Sequence, residues 1–172
     1  HLKEIIIRHF RTSKFPTRDT LHIDFSEEIT PLGTGGAVKN ARPLIRSDQF
    51  LVLNGDSLID IPKDFFLFHS GRQPVVSLLL SRSHNTHDCG IVEIERDGRI
   101  KSFQEKNVLN REGLINAGVY IMNKEIFRYF PEKDSFSLEY DVFPQLAHRD
   151  CYGFVTDNEL IDIGIPERYE KA

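Results

Sequence analysis

The chain has 172 residues, a formal net charge of −4, 40% hydrophobic and 28% charged residues. That is the make-up of one soluble domain, able to bury about two thirds of the surface its unfolded chain exposes. No apolar run approaches the ~20 residues of a membrane span, and the charge balance speaks against general nucleic-acid binding, which brings a basic surface to phosphates. Cys89 and Cys151 come without a secretory leader pattern, so free thiols in a reducing cytoplasm are expected.

His1 to Phe10 reads as the amphipathic end of a helix already under way, with Leu2, Ile5, Ile6 and Phe10 near one face. After a polar connection from Thr12 to Thr20, Leu21-His22-Ile23-Asp24-Phe25 alternates as a half-exposed strand should, with His22 on its solvated face. Glu27 and Glu28 then lead to Pro31-Leu32-Gly33-Thr34-Gly35-Gly36. Its glycines allow backbone to approach a flat or anionic ligand, and Thr34 is a candidate cap for a helix running on toward Ile45. No Lys-Ser/Thr follows the glycines and the G-x-G-x-x-G spacing is absent, so neither a Walker loop nor a dinucleotide fingerprint is present. A plain glycine-rich helix entry explains the stretch equally well.

The chain is organised around Phe50-Leu51-Val52-Leu53, an apolar run expected to be a strand buried on both faces, which stops at Asn54-Gly55-Asp56-Ser57. Ligands of open α/β sheets sit beyond the carboxyl ends of such strands, which makes Asp56 a candidate metal or substrate ligand. The same four residues also suit a plain turn. A helix over 63–70 and a buried strand over 74–80 follow. His84, His87, Asp88 and Cys89 match no usual zinc framework and read as a polar loop. Two alternating runs, 89–95 and 99–105, flank Asp97-Gly98 as a hairpin. The strand over 114–122 has an unusually small and polar centre, Asn116-Ala117-Gly118, of the kind that marks close approach of a ligand.

The last third predicts helices over 124–129 and 137–147, the second capped by Ser137, then strands over 153–155 and 159–163. Pro166 can open a final helix. Asp162 stands between Ile161 and Ile163, where burying a carboxylate requires a cation or donors to offset its desolvation. Asp56 and Asp162 thus each end an apolar strand, and Mg²⁺ held by one or two carboxylates plus substrate phosphates needs only such a pair.

Pro31–Gly36, Leu53–Ser57, Gly90-Ile91-Val92, Phe103-Gln104-Glu105-Lys106, Asn116–Tyr120 and Ile161–Tyr169 together resemble, in the same order, the sugar-1-phosphate nucleotidylyltransferases. Ser137 to Pro144 and the ending from Asp162 to Ala172 look most like members acting on D-glycero-D-manno-heptose 1-phosphate with GTP, with those acting on mannose 1-phosphate close behind. The resemblance implies an α/β, Rossmann-like nucleotidyltransferase (GT-A-like) fold, with a mixed, mostly parallel sheet flanked by helices. It further implies attack of a sugar-phosphate oxygen on the α-phosphorus of a nucleoside triphosphate with loss of pyrophosphate, for surface polysaccharide precursors. On that pattern Asp56 and Asp162 would hold Mg²⁺, and Lys106 would meet a phosphate. Glu105 would accept hydrogen bonds from sugar hydroxyls, Gly90 and Asn116 would lie against the sugar, and Asn54, Gly55 and Gly118 would be further substrate-binding residues. Leu32 and Gly33 would bring backbone against the base, and Glu28, or nearly as well Glu27, would accept from guanine.

Family members begin with a strand and a glycine-rich triphosphate loop carrying Arg and Lys, which is not found in this sequence. Residues 1–172 are therefore expected to be a single nucleotidyltransferase domain lacking its first βαβ unit, and inactive as such. A noncatalytic sugar-nucleotide-binding subunit of the same fold stays open as the alternative, and so does a homo-oligomer.

Overall fold

The computed structural model describes residues 2–12, 21–84, 86, 90–104, 112–164 and 169–170. Helix α1 (Lys3–Thr12) follows the predicted amphipathic pattern. Its apolar side chains Leu2, Ile5, Ile6 and Phe10 stay exposed, and Lys3 ties the helix to Glu27 at 2.7 Å. The expected strand over 21–25 does not form. Residues 21–28 run as irregular chain alongside α1, with no strand partner among the described residues. His22 is exposed as expected, 3.1 Å from Asp24. Among the described residues no helix is long and apolar enough to cross a membrane.

The main sheet contains β1 (Gln49–Leu53), β3 (Val76–Ser83), β4 (Ile91–Ile94), β5 (Ile100–Gln104), β6 (Gly113–Asn123) and β7 (Cys151–Thr156). A second, two-stranded ribbon joins β2 (Ser57–Leu58) to β8 (Ile161–Asp162). The expectation of a mostly parallel sheet needs correcting. Among the described residues only the β3–β7 pair is parallel, because β6 runs antiparallel to its neighbours on both edges and separates strands that share a direction. The hairpin of β4 and β5 turns at Gly98, whose φ of +88° is the left-handed conformation that glycine adopts without strain.

A strand covered on both faces is buried at every position, and β3 is so from Val76 to Ser81, with Ser77 and Ser81 hydrogen-bonded to His69 and to the Asn158 carbonyl among the apolar residues. On one face Leu79 of β3 and Val119 and Ile121 of β6 pack with Phe65 of α3 (Lys63–Arg72). On the other, Leu78, Leu80, Tyr120 and Met122 meet Phe136, Leu138 and Phe143. β1 differs from expectation: its residues alternate, with Leu51 and Leu53 exposed. Its far edge meets no strand among the described residues, and only the face carrying Phe50 and Val52 packs on the core.

The segment after β6 forms a 3₁₀ helix, Lys124–Tyr129, rather than an α-helix. Pro131 holds Phe130 extended and stops it. Ser137 caps the next element as predicted, accepting from the N–H groups of Glu139 and Tyr140. That element is a π-helical turn over Leu138–Val142 leading into the short α4 (Phe143–Leu146).

Helix α2 (Gly33–Ala41) shows why its glycines are needed. Gly35 and Gly36 donate to the Phe136 carbonyl at 3.0 and 3.3 Å, and a β-carbon on Gly35 would stand 2.3 Å from the Phe136 ring. Leu32, not Thr34, occupies the cap position. Pro43, in the 3₁₀ turn Arg42–Leu44, ends the helix short of Ile45. Lys39 Nζ closes the same contact by donating to the carbonyls of Pro131, Glu132 and Lys133.

Two predictions follow from this packing. Gly35→Ala lowers unfolding stability by about 1–3 kcal/mol through overpacking. Gly71→Ala, on an exposed part of α3 with nothing within 4 Å, raises it by up to about 1 kcal/mol; urea midpoints moving the same way in both variants would contradict the packing. His69 of α3 is 1% exposed, with Nδ1 2.9 Å from Ser77 Oγ. Burial holds its imidazole below the usual range, only partly offset by the Asn123 side chain. The unfolded chain therefore binds the proton first, and stability falls as pH is lowered through about 6.5. His69→Gln removes that component of the slope, which urea titrations at pH 5 and pH 7.5 would read.

Candidate active site

Strand β6 places the site. One of its edges is paired along most of its length by β3, whereas the other is shared end to end by β1, which reaches Leu53 opposite Val119, and β4, which starts with Ile91 opposite Ile115. Between those points, at Asn116 to Gly118, that edge carries no strand partner among the described residues. The gap coincides with a bulge: three residues of β6 lie opposite Leu79 alone, and Gly118 takes φ +70°. Asn54 seals one end, donating its N–H to the Gly118 carbonyl at 2.8 Å. The Asn54 side chain lies so close that a β-carbon on Gly118 would stand 2.7 Å from its Nδ2. Continuing the β4 register sets Gly90, which is exposed, opposite Asn116. The sequence thus identified Asn54, Gly90, Asn116 and Gly118 as separate candidates, and the bulge brings them to one gap.

Beyond β1 the chain turns at Asn54-Gly55-Asp56, with open space around Gly55. The Asp56 carbonyl accepts from Ile163 N at 2.8 Å, and Ser57 lies opposite Asp162 in the β2–β8 ribbon. This pairing converges the two carboxylates: a β-carbon on Gly164 would stand 3.0 Å from Asp162 Oδ1 and 3.5 Å from Asp56 Oδ2. The expectation of a buried Asp162 is corrected. β8 has only two residues, so the Asp162 side chain emerges at the exposed end of the ribbon. Gly164 N donates to its Oδ1 at 2.8 Å, which fixes the carboxylate's orientation.

Glu28 and the glycine loop meet at Leu32, whose N–H donates to Glu28 Oε2 at 3.0 Å. Glu27 is already paired with Lys3. Gly33, with φ +72°, is exposed. All three glycines are turned to residues 134–136: a β-carbon on Gly33 would stand 2.7 Å from the Phe136 carbonyl oxygen, and the Leu32 carbonyl accepts from Phe136 N at 2.9 Å, so the exposed backbone at Gly33 is what this loop leaves beside a ligand.

The sequence reading missed three side chains that join these parts. Asn116 Nδ2 donates to Tyr120 Oη at 2.8 Å, Tyr120 Oη donates to Glu139 Oε1 at 3.0 Å, and Thr34 Oγ1 donates to Glu139 Oε2 at 2.6 Å. Burial pushes the Tyr120 phenol well above its usual range, and the nearby carboxylates of Glu139 and Asp56 push the same way, so it stays a donor. Only the spacing of Asn116 and Tyr120 within one strand could have hinted at this.

Glu105 and Lys106 lie outside the described residues, as do His87, Asp88 and Cys89. His84 is 2.7 Å from Glu112, and among the described residues no cluster of three or more His, Cys, Asp or Glu is placed to hold a metal. The Asp56–Asp162 pair is what remains for a cation that takes its other ligands from a substrate. Cys151 is a buried free thiol whose burial raises its pKa far out of the reactive range.

A family model described as nucleotidyl transferase matches residues 2–172. The chain is 39% identical over 155 residues to the D-glycero-alpha-D-manno-heptose 1-phosphate guanylyltransferase of Aneurinibacillus thermoaerophilus, covering 88% of this chain and 66% of that protein. It is 34% identical over 152 residues to the protein of the same name from Campylobacter jejuni, covering 87% and 65%. With the mannose-1-phosphate guanylyltransferase of Mycobacterium tuberculosis it shares 34% identity, over 88% of this chain but 44% of that one. The chain thus spans about two thirds of the heptose relatives' length and under half of the mannose relative's. Among solved structures, HddC from Yersinia pseudotuberculosis complexed with GMP-PN superposes with a TM-score of 0.80 at 34% identity, covering 98% of this chain and 72% of that one. A Bacillus anthracis protein described as a putative glucose-1-phosphate thymidylyltransferase shares the fold alone, at 14% identity and a TM-score of 0.70. With a family match from end to end and the same fold in a relative of one-third identity, the chain belongs to the nucleotidyl transferase family.

Proposed function

We propose that the protein transfers a guanylyl group from GTP to a sugar 1-phosphate, D-glycero-D-manno-heptose 1-phosphate before mannose 1-phosphate, releasing pyrophosphate. The observation that carries this reading is the convergence of Asp56 and Asp162 beyond the end of β1, beside a gap lined by Asn116. The names of two relatives, 39% and 34% identical, support the guanylyl group and the heptose.

The chemistry requires little of the protein beyond positioning and charge neutralisation. Asp56 and Asp162 form a donor set of hard oxygens that suits Mg²⁺, which when bound would neutralise phosphate charge. Asn116 has one amide hydrogen committed to Tyr120 and a second to offer a sugar hydroxyl, and the exposed Gly90 leaves room for the ring beside it, while Gly118 seats Asn54. Asn54 and Gly55 line the approach from the phosphates. The exposed Gly33 backbone, with the Leu32 side chain next to it, faces the base, while Glu28, steadied through Oε2, has Oε1 to accept from guanine. Lys106 and Glu105 are assigned to the phosphate and the sugar hydroxyls from sequence alone. A cytoplasmic setting accords with these water-soluble substrates.

The test follows pyrophosphate release by the product of the complete coding sequence, with four nucleoside triphosphates, both sugar phosphates and Mg²⁺. GTP with the heptose phosphate should turn over fastest, and Asp56→Ala should lose at least about a hundredfold in kcat. Glu28→Gln, which puts a donor where guanine needs an acceptor, should cut GTP preference about tenfold or more. Tight binding of sugar nucleotides without turnover of any pair would instead establish a noncatalytic subunit.

A further inference from the structure

Glu139 accepts three hydroxyl hydrogen bonds, from Tyr120, Thr34 and Ser137, the last at 2.6 Å. The direction of each is fixed by its surroundings. Thr34 Oγ1 already accepts from Leu138 N at 2.9 Å, and Ser137 Oγ accepts from Glu139 N and Tyr140 N at 3.1 and 3.2 Å. Each hydroxyl therefore has its single proton left for the carboxylate, which offers only acceptors. Tyr120 is fully buried and receives Asn116 Nδ2–H, so its own proton also goes to Glu139. The polarity runs on: with Nδ2 turned to Tyr120, Asn116 Oδ1 faces inward and accepts from Gly118 N at 3.0 Å. The Gly118 N–H fixes which way round the Asn116 amide stands, and the half-buried carboxylate, by claiming the Tyr120 proton, leaves Tyr120 Oη to accept from Nδ2 and hold it there.

The two arms of Glu139 reach different parts of the site. Oε1 leads through Tyr120 to Asn116 and the bulge of β6. Oε2 holds Thr34, next to the exposed Gly33 backbone at the start of α2. From this we infer that Glu139 is a positioning residue that bridges the sugar side and the base side of the site, presenting Asn116 as a donor through Tyr120 and fixing the glycine loop through Thr34. The inference rests on the transfer reading above for which ligand lies on which side.

The test compares Thr34→Val, Tyr120→Phe and Glu139→Gln in the product of the complete coding sequence, reading kcat and both KM values beside the melting temperature. Thr34→Val should raise the nucleotide KM about tenfold and leave the sugar 1-phosphate KM within about twofold. Tyr120→Phe should do the reverse. Glu139→Gln should raise both, and adding Tyr120→Phe to it should raise the sugar KM little further, because both act along one path. Variants that lower the melting temperature and leave both KM values unchanged, or that shift both values alike whichever arm is cut, would overturn the bridge. Should the wild type turn over no substrate pair, the transfer reading fails by itself. The bridge is then read in ligand-free protein from hydrogen exchange of the Asn116 side-chain amide, slower in wild type than in Tyr120→Phe; equal rates would overturn it.

Discussion

The site depends on the way β6 spends its second edge. A strand with one edge paired along most of its length and the other divided between two collinear partners must leave backbone open where those partners part, and here the opening falls at Asn116 to Gly118. Extra residues inserted opposite Leu79 force Gly118 into a left-handed conformation, and its missing side chain leaves the space Asn54 fills. Without that bulge, Asn54 would have no seat, β1 could not end against β6 as it does, and the turn carrying Asp56 would lose its anchor. Glycine is required there for two independent reasons, φ and space.

The remaining parts converge on the gap by equally local means. A ribbon of two short strands, too small to be stable alone, gains its place from the Asp56 carbonyl and from Ile59, Ile61 and Leu160 against the sheet. It brings together two carboxylates that are far apart in the sequence. On the other flank, α2 is held less by its own propensity than by tertiary contact: glycine faces pressed on Phe136, and Lys39 in a cage of three carbonyls. Glycines that look like a ligand-binding loop in sequence mostly serve packing. Only the first residues of that loop remain for a ligand.

Much of this was legible beforehand, for identifiable reasons. The Asp97-Gly98 hairpin, the Ser137 cap, the buried β3 and the small centre of β6 follow from turn chemistry, capping and periodicity, which act within a few residues. Asp56 and Asp162 were found because a carboxylate ending an apolar run is costly and therefore informative. The errors share a cause too. Burial of β1 and Asp162 was inferred from neighbours in sequence, whereas exposure is decided by neighbours in space, and alternation over 21–25 could not make a strand without a partner edge. The direction of strand pairing was illegible because β6 inserts between strands far from it in sequence. Tyr120, Thr34 and Glu139 were invisible as a group because the bridge spans three elements.

The proposed transfer depends on Asp56 and Asp162 acting as one cation-holding pair at the mouth of the β6 gap. Titrating Mn²⁺ in place of Mg²⁺ into the protein with GDP-mannose, and following paramagnetic broadening of backbone amides, tests it most directly. The account predicts broadening centred on residues 54–57 and 161–164, lost in Asp162→Asn. Broadening centred elsewhere, or unchanged by that substitution, would contradict it.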